Sequence, residues 1–325
     1  MKAFFTFLER LRSLPGVVIQ AHDFPDHDAI ASAFALGHLL STQGINTRLV
    51  YNGIVDRISL QKMISALSIP ITHASEAGLT DDDKIITVDG CVGEKNVTDL
   101  PGDEIAVIDH HEVKAPPGLW FSDIRPEYGA TETIIYEYYQ AAGEIMPREI
   151  AAALQIGLAI DTANLTRGFV AADLQAFEYF HTIADQELVG RICRNSMQHS
   201  ELIYYQKMLA VLDRQDNIAF AWLKEGCPKN MLGVLGDFVL ALDEVDVVIL
   251  AATSGESIHL SLRSESPDVN VSTLVKGVLV QNNIGFGGGH SHMAGGILDI
   301  EKLNNSTLSA NLFELFLARI RRFND

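Results

Sequence analysis

The first half of this chain alternates short apolar runs with segments of helical periodicity, and that alternation limits its possible folds more than any other feature. The runs, rich in β-branched residues, are VVIQA at 17–21, TRLVYN at 47–52, KIITVD at 84–89 and EIAVID at 104–109. A helix is predicted over 28–44, between the first two runs. Strands that alternate with helices form a parallel sheet with helices on both faces. We therefore predict an α/β domain built on a parallel sheet.

A second region with a different pattern begins near residue 200. The runs NIAFAWL, DVVILAAT and SIHLSLRS are typical of strands, and helices are predicted over 231–242, 271–282 and 306–323. No Pro/Gly/Ser-rich tether separates the two regions, which favours a helical connection. We predict a catalytic domain over residues 1–185, a helical linker over 186–200 and a smaller α/β domain over 201–325.

Composition limits the class of protein. With 47% hydrophobic and 20% charged residues, the 325-residue chain can build large cores, and disorder is not expected. No apolar run approaches the roughly 18 residues that cross a bilayer, and no signal-peptide cleavage site is recognisable. Three cysteines outside any CxxC pair favour a reducing compartment and argue against a thiolate zinc site. We therefore expect a cytoplasmic protein without membrane contact.

The formal net charge of −18 restricts the ligands. Binding to duplex DNA requires a basic surface, which this composition does not supply globally. Short oligonucleotides and small phosphorylated nucleotides are the partners that fit. The sequence leaves the oligomeric state open, a homodimer included.

Acidic and histidine residues stand at the carboxyl ends of three predicted strands, and a further aspartate lies late in the apolar helix LQIGLAIDTANL. The set is His22, Asp26, Asp28, Asp89, Asp109, His110, His111 and Asp161. The carboxyl ends of parallel strands meet at one edge of a sheet, where ligands bind. So many carboxylates and imidazoles exceed the needs of one ion and favour a pair of divalent metals. Paired metals suit attack on a phosphate ester or anhydride.

Each of these residues also has a purely structural alternative. Asp26 and Asp28 could cap the helix that follows them, since aspartate is a favoured N-cap. The pair His110 and His111 could form a polar turn after a strand. Asp161 could reach solvent at the end of its helix, although an unpaired buried carboxylate is costly. None of these alternatives explains why all the groups occur together.

A glycine-rich segment, GFGGGH at 285–290, stands near the end of the second region. It lacks the Gly-Lys-Ser/Thr of a P-loop, and His290 stands where a dinucleotide fingerprint needs glycine. Consecutive glycines permit a tight turn that points several N–H groups at one anion. His290 and Arg263 could add charge-assisted contacts to a phosphate. The alternative is a turn that only packs a strand against a helix.

The motifs HDFPDHDA, VD, DHH and DT, in that order, resemble the four motifs of the DHH phosphoesterase superfamily. GFGGGHSHMAGG resembles the glycine-rich motif of the DHH-associated C-terminal domain. The resemblance covers essentially the whole chain and is greatest to RecJ-like nanoRNases and pAp phosphatases, with exopolyphosphatase-like proteins nearby. One departure is His27, which stands where the family usually has glycine, and we expect its side chain to point away from the site.

The resemblance implies a role for each residue. His22, Asp26 and Asp89 would hold one metal, and Asp28, Asp89, Asp161 and His110 the other, with Asp89 bridging. His111 would reach the scissile phosphate, and Asp109 would orient a histidine. The substrate-binding residues would be Arg263, Gly287, Gly288, Gly289 and His290. Hard oxygen ligands mixed with imidazole favour Mn²⁺, with Mg²⁺ or Co²⁺ as substitutes.

We therefore expect a two-metal phosphoesterase that hydrolyses short oligonucleotides, pAp or linear dinucleotides such as pApA. An exopolyphosphatase or pyrophosphatase is the alternative in the same class. A nucleotide substrate calls for an aromatic platform, for which Tyr128 and Phe286 are candidates. A nucleotide-binding sensor without turnover is the alternative from another class.

Overall fold

The computed structural model describes residues 1–194, 197–304 and 311–321, and the chain divides into two compact units, Met1–Met197 and Gln198–Asp325. The predicted linker over 186–200 encloses this division and is helical at α7 (Gln186–Arg194). The domain limits proposed from the sequence remain a prediction. The predicted helix over 306–323 lies partly outside the described residues, and its described part is α12 (Leu312–Arg321).

The first unit is built on a six-stranded sheet whose neighbouring strands are all parallel. Its strands are β1 (Val17–Ala21), β2 (Thr47–Tyr51), β3 (Ile71–His73), β4 (Lys84–Val88), β5 (Asp103–Asp109) and β6 (Phe121–Ile124), in the order β3-β2-β1-β4-β5-β6. The chain adds strands outward from β1 on one side and then resumes at β4 on the other. This reversal makes the β1/β4 boundary a topological switch point, where open α/β sheets bind their ligands.

The helices of the first unit place most of the core on one face of this sheet. They are α1 (Lys2–Leu11), α2 (His27–Thr42), α3 (Ile58–Ala66), α4 (Thr131–Ala142), α5 (Arg148–Asp161), α6 (Ala171–Ile183) and α7. Val17 and Ile19 point into this large cluster, whereas the alternating Val18 packs on the other face with Val50 and Ile85. The sequence VVIQA is apolar almost throughout because both faces of its strand are covered.

The second unit has a mixed six-stranded sheet in the order β11-β12-β10-β9-β8-β7. Its strands are β7 (Asp213–Gln215), β8 (Ile218–Leu223), β9 (Val247–Ser254), β10 (Ser257–Ser264), β11 (Gly285–Gly289) and β12 (Met293–Asp299). Its helices are α8 (Leu202–Val211), α9 (Lys229–Leu240), α10 (Val271–Val275), α11 (Ile300–Asn304) and α12. Among the described strands of the second unit, only β8 and β9 pair in parallel, and the other neighbours are antiparallel. The predicted fold class, a parallel-sheet domain followed by a smaller α/β domain, is confirmed.

The glycine-rich segment corrects one expectation. We expected Gly287, Gly288 and Gly289 to form a tight turn, but they belong to strand β11. The turn lies just after them, where the N–H of His290 donates to the carbonyl of Met293 at 2.8 Å. Glycine is required for close packing, since a Cβ on Gly287 would lie 2.6 Å from Val275 Cγ2. No helix in the described part of the chain is long and apolar enough to cross a membrane.

Candidate metal centre

The predicted ligands of the first unit converge at the topological switch point. His22 follows the last residue of β1, Asp89 follows the last residue of β4, and Asp109 ends β5. Because parallel strands end at the same edge of the sheet, these three positions are neighbours. Asp28 enters from the first turn of α2, and Asp161 from the last residue of α5.

One cluster consists of His22, Asp26 and Asp89. His22 Nε2 lies 3.7 Å from Asp26 Oδ1 and 3.6 Å from Asp89 Oδ2. The other ring nitrogen, Nδ1, donates to the carbonyl of Asp23 at 2.8 Å. This backbone contact orients the ring so that Nε2 faces the two carboxylates. Burial disfavours the charged ring, but Asp26 and Asp89 raise the pKa of His22 to about 9, so a metal ion would displace a proton from Nε2.

A second cluster surrounds His110. Its Nε2 lies 3.5 Å from Asp28 Oδ2, 3.6 Å from Asp89 Oδ1 and 3.8 Å from Asp161 Oδ2. Its Nδ1 donates to the carbonyl of Tyr128 at 3.1 Å, which again leaves Nε2 facing the acids. Burial and the neighbouring His111 lower the pKa of His110, so the ring is neutral at pH 7, as a metal ligand must be.

Asp89 belongs to both clusters. Its Oδ2 faces His22 and its Oδ1 faces His110, so one carboxylate lies between two groups of ligands. The backbone of Asp89 has φ +57, a left-handed conformation that few residues other than glycine, asparagine and aspartate adopt. Such strain persists where the surrounding structure imposes it, and it is common at functional sites.

The spacing and the charge of these groups fit divalent cations. Nitrogen–oxygen distances of 3.5–3.8 Å are too long for hydrogen bonds. Ligands about 2.1 Å from one ion stand roughly 3–3.5 Å apart, close to the spacing seen here. Burial raises the pKa of Asp28 to about 7 and that of Asp89 to about 6, and it raises the pKa of Asp161 well above its usual range. Bound cations would neutralise the charge of these buried carboxylates. The mixture of oxygen and imidazole donors also suits divalent metals.

His111 and Asp109 form a pair beside the second cluster. His111 Nδ1 donates to Asp109 Oδ1 at 2.8 Å, and the His111 backbone N–H donates to the same oxygen at 3.0 Å. Burial disfavours the charged imidazole, but the bond to Asp109 and the charge of Asp89 outweigh it and raise the pKa of His111 to about 10. The His111 side chain is 33% exposed, so a cationic ring faces the outside of the site.

The amino terminus of α4 holds two of the carboxylates in place. The Thr131 backbone N–H donates to Asp28 Oδ2 at 2.8 Å, and its hydroxyl donates to Asp89 Oδ1 at 3.0 Å. Ser32 Oγ donates to Asp28 Oδ1 at 2.8 Å, one turn further along α2. Both oxygens of Asp28 are therefore oriented by the protein, and a helix amino terminus stabilises its negative charge.

Sequence reasoning missed Glu132, which is fully buried in the first turn of α4. It fills the space over Gly157 of α5, where any Cβ would overlap its carboxyl group. Burial and the adjacent Asp28 raise the pKa of Glu132 well above its usual range, which favours the protonated carboxyl group. A charged residue among the apolar residues of TETIIYEYY was the available signal.

His27 is also buried, with 1% exposure, and belongs to none of the ligand clusters found among the described residues. Burial and the nearby Arg57 lower its pKa to about 3, which keeps the ring neutral. Tyr128, a candidate platform, donates its hydroxyl to Glu137 at 2.6 Å. Tyr128 thus has a structural task, since its carbonyl also orients His110.

The predicted substrate-binding residues gather at one end of the sheet of the second unit. Arg263 pairs in register with Met293, which closes the turn after His290. Arg263 is buried, its Nε donates to Asp237 Oδ1 at 2.8 Å, and its Nη1 donates to Ser261 Oγ at 3.1 Å.

Strand β11 is an edge strand, and its glycines present backbone groups there. The His290 N–H donates to the carbonyl of Met293, so it faces β12. In an antiparallel ladder successive residues alternate between facing the partner strand and facing away from it. The N–H groups of Gly287 and Gly289 therefore point away from β12. The N–H of Gly288 faces β12 by the same alternation.

Comparison with known proteins finds similar families for both units. Residues 16–158 match the DHH family, N-terminal domain, and residues 215–314 match the DHHA1 domain. An exopolyphosphatase-related protein from Bacteroides fragilis has the same fold, with a TM-score of 0.79 at 19% identity over 99% of this chain and 95% of that one.

Three curated relatives share part of the sequence. An uncharacterized protein of Methanocaldococcus jannaschii is 28% identical over 84% of this chain and 55% of its own length. A cyclic-di-AMP phosphodiesterase of Geobacillus thermodenitrificans is 23% identical over 87% of this chain and 45% of its own length. A probable manganese-dependent inorganic pyrophosphatase of Streptococcus mutans is 26% identical over 46% of this chain and 49% of its own length. This chain thus spans about half the length of the curated relatives it matches. The chain is thus similar to the DHH family over most of its first unit and to the DHHA1 domain over most of its second.

Proposed function

We propose that this protein is a two-metal phosphoesterase that hydrolyses short oligonucleotides, pAp or linear dinucleotides such as pApA. The observation that carries the proposal is the position of Asp89, whose two oxygens face two separate groups of ligands. A single carboxylate between two such groups is suited to bridge a pair of ions. Mn²⁺ is the expected metal, because the related pyrophosphatases are named manganese-dependent.

In this proposal His22, Asp26 and Asp89 hold one ion, and Asp28, Asp89, Asp161 and His110 hold the other. When bound, the pair would acidify a water molecule for attack on phosphorus and neutralise phosphate oxygens. Thr131 and Ser32 keep the Asp28 carboxylate in its orientation. His111, cationic through its bond to Asp109, contacts the phosphate that is cleaved.

The second unit has a candidate phosphate-binding edge of its own, formed by β11. The outward N–H groups of Gly287 and Gly289 provide donors for a phosphate, as backbone N–H groups do in other anion sites. Gly288 contributes by leaving this surface without a side chain, and His290 and Arg263 are the nearby side chains that could donate hydrogen bonds to a phosphate. Donors of this kind at the edge of β11 favour a ligand that carries a phosphate.

A nucleotide substrate is favoured over pyrophosphate by the extent of the sequence matches. The relative named as a cyclic-di-AMP phosphodiesterase aligns with 87% of this chain, whereas the S. mutans pyrophosphatase aligns with 46%. The pyrophosphatase relatives nevertheless make inorganic pyrophosphate hydrolysis the second candidate.

The test is turnover in Mn²⁺ against 5′-phosphorylated RNA dinucleotide, five-residue RNA, pAp, pApA, tripolyphosphate and pyrophosphate. Asp28→Ala should abolish activity, because it removes a fully buried ligand at the centre of the second cluster. Asp103→Ala, at the opposite end of β5, is the matched control and should retain activity. Hydrolysis of pyrophosphate and tripolyphosphate alone would move the assignment to inorganic substrates. Nucleotide binding without any turnover would contradict the enzyme assignment and favour a nucleotide-binding sensor.

A further inference from the structure

Phe24 is an exposed aromatic residue inside the first metal-binding motif. It lies two residues after His22 and two before Asp26, and it is 52% exposed. Its backbone has φ +54, a left-handed conformation that is unfavourable for a bulky side chain. Strained backbone conformations cluster at functional sites, and this one lies between two candidate metal ligands.

Three loops fix the backbone around Phe24. The Phe24 N–H donates to the carbonyl of Asn52 at 3.1 Å, which ties it to the loop after β2. Its neighbour Asp23 donates through N–H to the carbonyl of Asn96 at 2.6 Å and accepts from Thr98 Oγ1 at 2.6 Å. Asn52 Nδ2 in turn donates to Thr98 Oγ1 at 2.9 Å. These bonds hold the position of Phe24 relative to the ligands on either side of it.

The ring of Phe24 lies over Gly53. A Cβ on Gly53 would be 3.0 Å from Phe24 Cδ1 and 3.2 Å from Cε1, and Gly53 itself has φ +76. The absence of a side chain at this position therefore makes room for the ring. The next residue, Ile54, is 62% exposed, so the two loops together present apolar surface beside the metal-binding motif.

We propose that Phe24 is a specificity-determining residue on which a nucleobase of the substrate stacks. The inference rests on the function proposed above and narrows its substrate class to phosphoesters that carry a base close to the cleaved phosphate. Stacking on an aromatic ring tolerates every base, because each has a π face. Because the surrounding hydrogen bonds already fix the backbone at Phe24, less conformational entropy is lost when a base binds. Affinity is therefore higher than for an aromatic residue on a mobile loop.

The test compares pApA with the same phosphorylated backbone lacking both bases. Phe24→Leu should raise the KM for pApA about tenfold, the loss typical of one base–aromatic stack, and leave the KM for the abasic substrate unchanged. Phe24→Tyr keeps the ring and should restore the wild-type KM. Phe5→Leu, at a 40% exposed aromatic on α1, is the matched control and should change neither constant.

Inhibition gives an equilibrium measure of the same contact. Phe24→Leu should weaken inhibition by AMP about tenfold and leave inhibition by ribose 5-phosphate unchanged. An equal effect on the two inhibitors, or none on AMP, would overturn the role of Phe24. Failure of the wild-type protein to hydrolyse either backbone would instead contradict the phosphoesterase function. A general loss of folding or metal would appear as lost turnover of the abasic substrate, and the Tyr variant would then decide the question.

Discussion

The metal centre of the first unit and the glycine-rich edge of the second unit are built in opposite ways. The first concentrates charged side chains, and hydrogen bonds from α2 and α4 hold two of them, Asp28 and Asp89. The second offers backbone N–H groups along a strand from which side chains are excluded. A site built from side chains loses its function when one of those side chains is replaced. A site built from backbone N–H groups loses its function when a side chain is added that blocks them. The predictions below test this difference.

The largest effect is expected from Asp89→Asn. Asparagine tolerates the left-handed backbone at this position, so folding should be preserved. Loss of the charge shared by both clusters should reduce kcat/KM by about a thousandfold or more, the scale of removing one key electrostatic group from an active site. Asp103→Asn, on the same strand as Asp109, should retain activity within about twofold. An Asp89→Asn enzyme with near-normal turnover would remove the bridging role.

Metal and pH should act together on stability. Asp28 and Asp89 have raised pKa values, about 7 and about 6, so the metal-free folded state binds more protons than the unfolded state. The protonated carboxyl groups add to the free energy of unfolding below about pH 4, and this contribution is lost as the pH rises towards 7. The metal-free protein therefore becomes less stable over that range. Mn²⁺ displaces these protons, so at a concentration about a hundred times Kd it should add about 3 kcal/mol near pH 8.

Thermal unfolding with Mn²⁺ or with chelator, at pH 5.5 and pH 8, measures this coupling. The increase in Tm on adding Mn²⁺ should be larger at pH 8. An increase that is the same at both pH values would show that these carboxylates do not bind the metal.

Thr131→Val should have a smaller effect on the metal centre. The substitution removes the hydroxyl that donates to Asp89 Oδ1 but keeps the backbone N–H that donates to Asp28. Loss of a hydrogen bond that orients a ligand typically lowers metal affinity or activity 10–100-fold, about 1.4–2.7 kcal/mol. Mn²⁺ titration of the variant gives the change in affinity. Thr166→Val, at an exposed loop hydroxyl, is the control.

Replacing the glycines of β11 by alanine should change stability by an amount that depends on the position. A Cβ on Gly287 would lie 2.6 Å from Val275 Cγ2, so Gly287→Ala should destabilise the protein by about 1–3 kcal/mol through overpacking. On Gly288 the nearest atom to a Cβ is Lys276 Cε at 3.7 Å, and Gly288→Ala should leave Tm nearly unchanged. Calorimetry of both variants compares them, and equal losses of Tm would contradict the strand geometry.

The convergence of the ligands could be predicted because parallel strands end at one edge. His22, Asp89 and Asp109 each stand at the end of an apolar run, and that pattern alone placed them together. Glu132 was not found from the sequence because its neighbours in space come from other elements. Asp28 and Gly157 surround it only once α2, α4 and α5 are packed.

The sequence by itself determined the fold class, the parallel direction of the first unit's strands and the acidic and histidine residues that follow several of them. Only the tertiary structure decided that Asp89 turns its two oxygens to different clusters and that Thr131 holds it there. It also decided that the glycines form a strand, and that Phe24 lies over Gly53. The physical reason is the range of the forces. Periodicity and turn chemistry act between near neighbours in the chain, whereas carboxylate orientation and ring contacts depend on atoms tens of residues away.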